Sequence, residues 1–289
     1  MLKAFSKASI FSLILIILFP SCKEIGPNIN LRGNENSISD TTYLESPSPS
    51  AEDKNVVLEE FTGVRCPNCP QGHQIIETIK SSNLGRVISV SFHPVNSLGN
   101  PYPFSPQNFQ SQKAQTIFDY LGQIGLEPAA SVDRKVYSGE SNILTGASKW
   151  PGYTSSQLAL PTPVNISLDK LYDSVKNELT VIAELHYTQT ITESNRLTIL
   201  VTESGMIAPQ LNGSTIDTFY SHRDVMRDFI TNIQGDDLPV TLEKGRVIRK
   251  VYSKTLDALW KPENMRIVAF VHEFQNSKII YQGKEVDIK

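Results

Sequence analysis

Clusters of basic residues are missing from this 289-residue chain: 27 Lys and Arg stand against 30 Asp and Glu, for a net charge of -3, and they form no run. A protein that neutralises a phosphate backbone needs the opposite, so nucleic acid is excluded as a partner. The chain also lacks a Walker loop, a dinucleotide-binding glycine fingerprint, a His-Glu-X-X-His pair and a nucleophile elbow, which leaves nucleotide and hydrolase chemistry without residues to perform it. There is no internal repeat. Cysteine is scarce, with three in all, at positions 22, 66 and 69. What remains is ordinary globular material: 39% of residues are hydrophobic, enough for one or two packed domains.

The amino terminus reads as a sorting signal, residues 1–22. Lys3 and Lys7 precede an apolar run from Ile10 to Phe19 that ends at Pro20-Ser21-Cys22. The run is about half the length a helix needs to cross a bilayer. A small residue before a cysteine resembles a bacterial lipobox, although Phe19 and Pro20 depart from its commoner Leu-Ala/Ser-Gly-Cys form. The resemblance implies cleavage before Cys22, lipid attachment at Cys22, and contact with a membrane through that anchor. Residues 23–54, rich in Asn, Ser, Pro and acids and without hydrophobic periodicity, read as a flexible tether with a reach on the order of 30 Å. With Cys22 given to lipid, Cys66 and Cys69 are the remaining thiols, and no separate structural disulfide is possible.

Two folded parts are expected. Over residues 55–160, Asn55 to Thr62 suits a buried strand, Cys66 to about Ser81 a helix with Ile75, Ile76 and Ile79 at helical spacing, and Arg86 to Phe92 a second strand. A loop between Pro94 and Pro106 leads to a second helix over Gln107 to Leu121, and Pro128 to Arg134 reads as a third strand. Over residues 161–289, Leu179, Val181, Ala183, Leu185 and Tyr187 recur at every second position, as do Leu197, Ile199 and Val201 and then Ile267, Ala269 and Val271, the spacing of half-buried antiparallel strands. Lys278 to Ile288 could pair with the last of these, which predicts an all-β, immunoglobulin-like sandwich. Residues 215–233 fit a helix or a loop.

The chemistry resides in Arg65-Cys66-Pro67-Asn68-Cys69. Two sulfurs three positions apart on the first turn of a helix are close enough to close a disulfide. At a helix start, Cys66 would meet unpaired N–H groups and the positive end of the dipole, which lower a thiol pKa, and Arg65 adds a charge. Cys66 is therefore the expected nucleophile and Cys69 the resolving thiol.

This strand, break and helix resemble the thioredoxin family. The resemblance implies an α/β thioredoxin-like domain, a proton-relay role for Glu60 beside Cys69, and a cis-proline at Pro128 facing the disulfide. Glu127 departs from the small or β-branched residue the family carries before that proline, and Pro70 departs from thioredoxin itself. Without the resemblance, Glu59 or Glu60 reads as a solvent-facing strand end. The segment from Glu59 to Pro70, the Pro128 strand, Tyr220 to Arg227 and Ile267 to Val271 are similar to the Omp28-related outer-membrane lipoproteins of Bacteroidetes. That resemblance implies a place in the cell envelope, facing the periplasm or the exterior.

Two thiols with His73 and His93 could bind zinc or copper, but a structural site usually wants a second ligand pair, so no metal is expected. His73 reads as a solvated helix residue, His93 as a strand end, and His222 with Arg223, Asp224 and Arg227 as an exposed segment or a polar cluster. Trp150 and Trp260 read as packing anchors. The expected function is thiol–disulfide exchange on protein partners, without a cofactor. The alternatives are a binding protein or adhesin that uses the rear domain with a permanent disulfide in front, and a metallochaperone.

Overall fold

The computed structural model describes residues 41–239 and 242–289, all within one compact unit. The signal segment, Cys22 and tether residues 23–40 lie outside the described residues. Residues 41–54, expected to be tether, instead lie against the body. The β-branched and aromatic run Thr41–Leu44 (β1) pairs with Arg246–Thr255 (β13), Asn165 donates to the Ser50 carbonyl at 2.7 Å, and the Glu52 N–H returns a bond to Asn165 at 2.9 Å.

The front of the chain runs Val56–Phe61 (β2), Cys69–Ser82 (α1), Val87–Phe92 (β3), Gln112–Leu121 (α2), Ala129–Val132 (β4), Thr145–Gly146 (β5) and Trp150–Leu158 (α3). β2 and β3 are parallel, with α1 as the crossover, and β4 is antiparallel to β2. All residues of β2, β3 and β4 are buried, as strands covered on both faces require. Val57, Phe61, Val90 and Phe92 pack with Ile117 and Phe118 of α2, while Val56, Leu58 and Val132 pack with Ile76 and Ile79 of α1 and with Trp150. α2 starts later than its hydrophobic spacing suggests, because Ser111 caps it by accepting from the Lys113 N–H.

The rear contains Val164–Asp173 (β6), Glu178–Tyr187 (β7), Asn195–Glu203 (β8), Met206–Asn212 (β9), Thr215–His222 (β10), Val225–Phe229 (β11), Asp236–Asp237 (β12), Met265–Glu273 (β14) and Ile280–Asp287 (β15). Residues 215–233, ambiguous in sequence, supply strands β10 and β11 and no helix. The sheet β1-β13-β7-β6 faces β8 and β14 across a core that includes Leu179, Leu185, Ile199, Val201, Ile267 and Ala269. The chain is thus mostly β and sandwich-like. A self-contained sandwich after residue 160 was expected, yet one of its sheets is shared with the front. Among the described residues the order is β15-β14-β8-β11-β3-β2-β4-β5, with β12 on β8. The junction is β11, parallel to β3 through Val225 and Ser91 and antiparallel to β8.

Because β2 is covered on both faces, Glu59 and Glu60 are both fully buried, and neither is a solvent-facing strand end. Glu59 accepts from Arg134 Nε at 2.8 Å, Arg134 Nη2 at 2.6 Å and Ser131 Oγ at 2.9 Å, and the guanidinium lies 4.9 Å from the Phe270 ring centroid. A bidentate pair excluded from water is costly to break on one side only. Glu59→Gln leaves the Arg134 charge without its partner and is expected to destabilise the protein by about 3–5 kcal/mol in urea denaturation, whereas the double change Glu59→Leu with Arg134→Met is expected to cost much less. Equal losses in the two variants would contradict this account.

Candidate functional site

Cys66 and Cys69 are joined in a disulfide, with their Cα atoms 5.4 Å apart. The helix does not begin at Cys66. Asn68 is its cap and Cys69 its first residue, so Pro70 falls in the first turn, where an N–H has no intrahelical partner to lose, and it causes no bend. Cys66 lies in the preceding turn, with its N–H bonded to the Gly63 carbonyl at 3.0 Å. Gly63 is required there because a Cβ would run into the Leu98 carbonyl. Arg65, expected to lend charge to Cys66, is committed to the next loop: it donates to the carbonyls of Asn100 (2.8 Å) and Pro101 (3.0 Å) and stacks on Tyr102.

Glu60, Gly72 and Pro128 meet behind the disulfide. Gly72 lies one turn beyond Cys69 on the same helix face. A Cβ on it would sit 2.9 Å from the Pro128 ring and 3.1 Å from Glu60 Oε1, so the absent side chain is what lets α1 settle there. The Glu127–Pro128 peptide is cis. The Glu127 carboxylate, the departure noted in sequence, accepts from Asn96 at 2.6 Å.

Beside this junction is a cavity of about 620 Å³, lined by Glu60, His73, Ser91, His93, Tyr220 and His222 among others. Glu60 accepts from Ser91 Oγ at 3.2 Å and lies 3.6 Å from His73 Nε2, while its Oε1 has no hydrogen-bond partner among the described residues. Burial pushes its carboxyl up to about 8; the Ser91 hydroxyl opposes the rise, and the Asp224 and Glu127 charges add to it. His73 is not solvated: its ring bonds Thr62 Oγ1 at 3.1 Å and the Tyr220 hydroxyl at 2.7 Å. Nor is His222 exposed, since it is buried against Phe109 with its Nε2 3.3 Å from the Ala208 carbonyl. His93 follows β3 as expected but is buried, with neither ring nitrogen partnered. Burial lowers His73 to about 3, His222 to about 4, and His93 well below its usual value. At neutral pH the three imidazoles in the wall are therefore neutral and Glu60 is held toward its protonated form, and the wall also carries the Arg223–Glu77 ion pair at 2.6 Å. Asp224, which also lines the cavity, is ion-paired with Lys80 at 2.5 Å. Among the described residues no three His, Cys, Asp or Glu are placed to hold a metal ion. Trp150 is buried and donates to the Thr145 carbonyl at 3.0 Å, and Trp260 packs at the rim of the rear core below Arg227.

The sequence reading missed the β9–β10 hairpin. Leu211 N–H donates to the Val64 carbonyl (2.8 Å), Gly213 N–H to the Pro67 carbonyl (2.9 Å), and Gln210 Nε2 to the carbonyls of Gly63 and Cys66 (3.2 Å each). Cys66, the expected nucleophile, is 1% exposed, and Cys69 is 0% exposed. The signal was Gly213-Ser214, a glycine-first pair suited to a two-residue hairpin loop, with Asn212 and Thr215 paired on either side and Gly213 at φ +59°.

These features define a mostly β, sandwich-like protein with a few helices and a buried Cys-X-X-Cys disulfide where the first of them starts. The model of the outer membrane protein Omp28 family matches residues 114–288, and the chain belongs to that family. Membership places it at the outer membrane of the cell envelope, in agreement with the sequence resemblance. No helix among the described residues is long and apolar enough to cross a membrane. Among solved structures, HBP35 of Porphyromonas gingivalis is similar at 21% identity with a TM-score of 0.65, covering 83% of this chain and 76% of that one. A protein of Agrobacterium tumefaciens is similar at 11% identity with a TM-score of 0.51, covering 83% and 97%. These likenesses concern the fold. No curated protein matches the chain.

The state of Glu60 has a measurable consequence. A carboxyl whose pKa is raised on folding stabilises the protein fully below its unfolded value, about 4.3, and that contribution is lost as pH rises through the folded value. Relative to Glu60→Gln, the wild type is expected to melt at progressively lower temperature as pH rises from roughly 5 to 9, as its relative stability falls by an amount on the order of a few kcal/mol. The histidines act in the opposite direction at acid pH and are common to both proteins. A gap between the two melting curves that does not change with pH would refute the assignment.

Proposed function

We propose that this chain is a lipid-anchored envelope protein, held through Cys22, whose residues 55–160 form a thioredoxin-like unit that exchanges disulfides with protein partners, and whose rear β-domain, 161–289, covers and supports it. The observation that carries the reading is the junction behind the sulfurs, where α1 is lowered by Gly72 onto cis Pro128 and the buried, protonated Glu60. That arrangement fits a two-electron exchange in which a partner thiolate bonds to Cys66 Sγ, the Cys66–Cys69 bond breaks, and Cys69 leaves as a thiolate that takes the Glu60 proton. In the reverse direction Glu60 takes that proton back as Cys69 attacks the mixed disulfide and the partner leaves as a thiolate. Pro128 shapes the groove beside Cys66. Fold alone does not assign this activity; the reading rests on the site.

The burial of both sulfurs under the hairpin favours a second reading, a binding protein with a permanent disulfide. The reduction potential of the pair in glutathione buffers decides between them. A value of roughly -120 to -270 mV is expected for exchange, with Cys66→Ser abolishing turnover of a disulfide substrate. A value below about -300 mV would mark a structural disulfide and overturn the exchange reading.

A further inference from the structure

The β9–β10 hairpin belongs to the rear of the chain yet occupies the space over Cys66 and Cys69. Its hold on that place is specific. The N–H groups of Leu211 and Gly213, two positions apart on one strand edge, meet the carbonyls of Val64 and Pro67 on either side of Cys66. An extended polypeptide laid along the motif would make the same kind of bond. Between them the fully buried Gln210 spans the Gly63, Cys66 and Leu211 carbonyls with a single amide nitrogen, at 3.0–3.2 Å. On the second strand, Tyr220 ties the hairpin to α1 through His73. The outer side of the hairpin is open: Thr215 to Phe219 are exposed, and among the described residues β10 pairs only with β9. The base, by contrast, is anchored in a small core, where Met206 and Ala208 pack with Val64, Phe109 and Val225. A segment fixed at its base and held at its tip by a few polar contacts is one that can open locally without unfolding the sheet.

We propose that the hairpin is a displaceable lid occupying the substrate strand's position, that Gln210 is the positioning residue that keeps it closed, and that the group admitted when it lifts is an extended, cysteine-bearing polypeptide segment. The substrate class rests on the exchange reading above; the lid itself does not. In the closed state no thiolate reaches Cys66 Sγ, so the rate of exchange is set by how often the hairpin leaves.

The test is the rate at which dithiothreitol reduces the whole chain. The dithiol loses two protons; one of its sulfurs bonds to Cys66 Sγ as Cys69 leaves as a thiolate. Its second sulfur then displaces Cys66, the reagent departs as a cyclic disulfide, and the two cysteines take up the two protons. The wild type is expected to be reduced far more slowly than the same chain unfolded in urea, with Gln210→Ala faster than wild type by about tenfold, the factor one net hydrogen bond is worth. Tyr220→Phe is expected to be faster by a smaller factor, and the Leu211 and Gly213 amides to exchange hydrogen faster in both variants. Folded variants reduced at the wild-type rate would overturn the lid; should Gln210→Ala lose its cooperative melting, Tyr220→Phe decides alone. For the substrate class, a cysteine peptide of extended sequence should react with Gln210→Ala faster than glutathione at equal thiol concentration, and equal rates would overturn that part. A potential in the structural range together with acceleration by Gln210→Ala would sink the exchange reading and leave the lid standing. A potential in the exchange range without acceleration would do the reverse.

Discussion

Strand β2 runs through the middle of the shared sheet with both faces covered, and most of what is unusual in this protein follows from that burial. Alternate side chains of a strand must point to opposite layers. The adjacent acids Glu59 and Glu60 are therefore driven into two separate interiors, and each interior solves the charge differently. On one side Glu59 remains tied to a guanidinium that is itself enclosed by Phe270. On the other side no cation reaches Glu60, and the carboxyl keeps its proton. One sheet thus holds a structural ion pair and a titratable acid side by side in sequence.

The cavity around Glu60 shows the same economy. Its imidazoles come from α1, from the end of β3 and from β10, three segments far apart in the chain, and each is neutral because burial penalises the cation. The charged side chains of the same wall are paired, Glu77 with Arg223 and Asp224 with Lys80, so the neutral imidazoles and Glu60 share the cavity with ion pairs rather than with lone charges.

Much of this was legible in the residues. The alternation in Leu179 to Tyr187 and the apolar runs of β2 and β3 are short-range patterns that tertiary structure did not override, whereas Ile267, Ala269 and Val271, whose spacing reads as a half-buried strand, belong to a strand buried on both faces, because Val268 and Phe270 pack into the front core. The Cys-X-X-Cys and the proline at 128 were visible as motifs. What escaped depends on elements that meet only in space. His73 reads as solvated until Tyr220, 147 positions away, is laid against it. Cys66 reads as the first helical residue until the Asn68 cap and Pro70 move the helix start. The sheet's continuity through β11 has no local signature, because it rests on one parallel step between Val225 and Ser91.

The hairpin's distance along the chain also orders events in time. A polypeptide bound for the outer membrane emerges with its amino-terminal part first, so residues 66 and 69 are outside while residues 206–222 are still to follow. The cover over Cys66 comes from a residue 144 positions further along the chain, so the sulfurs can be joined before their cover exists, but once the rear strands have folded they can be reached through that cover alone.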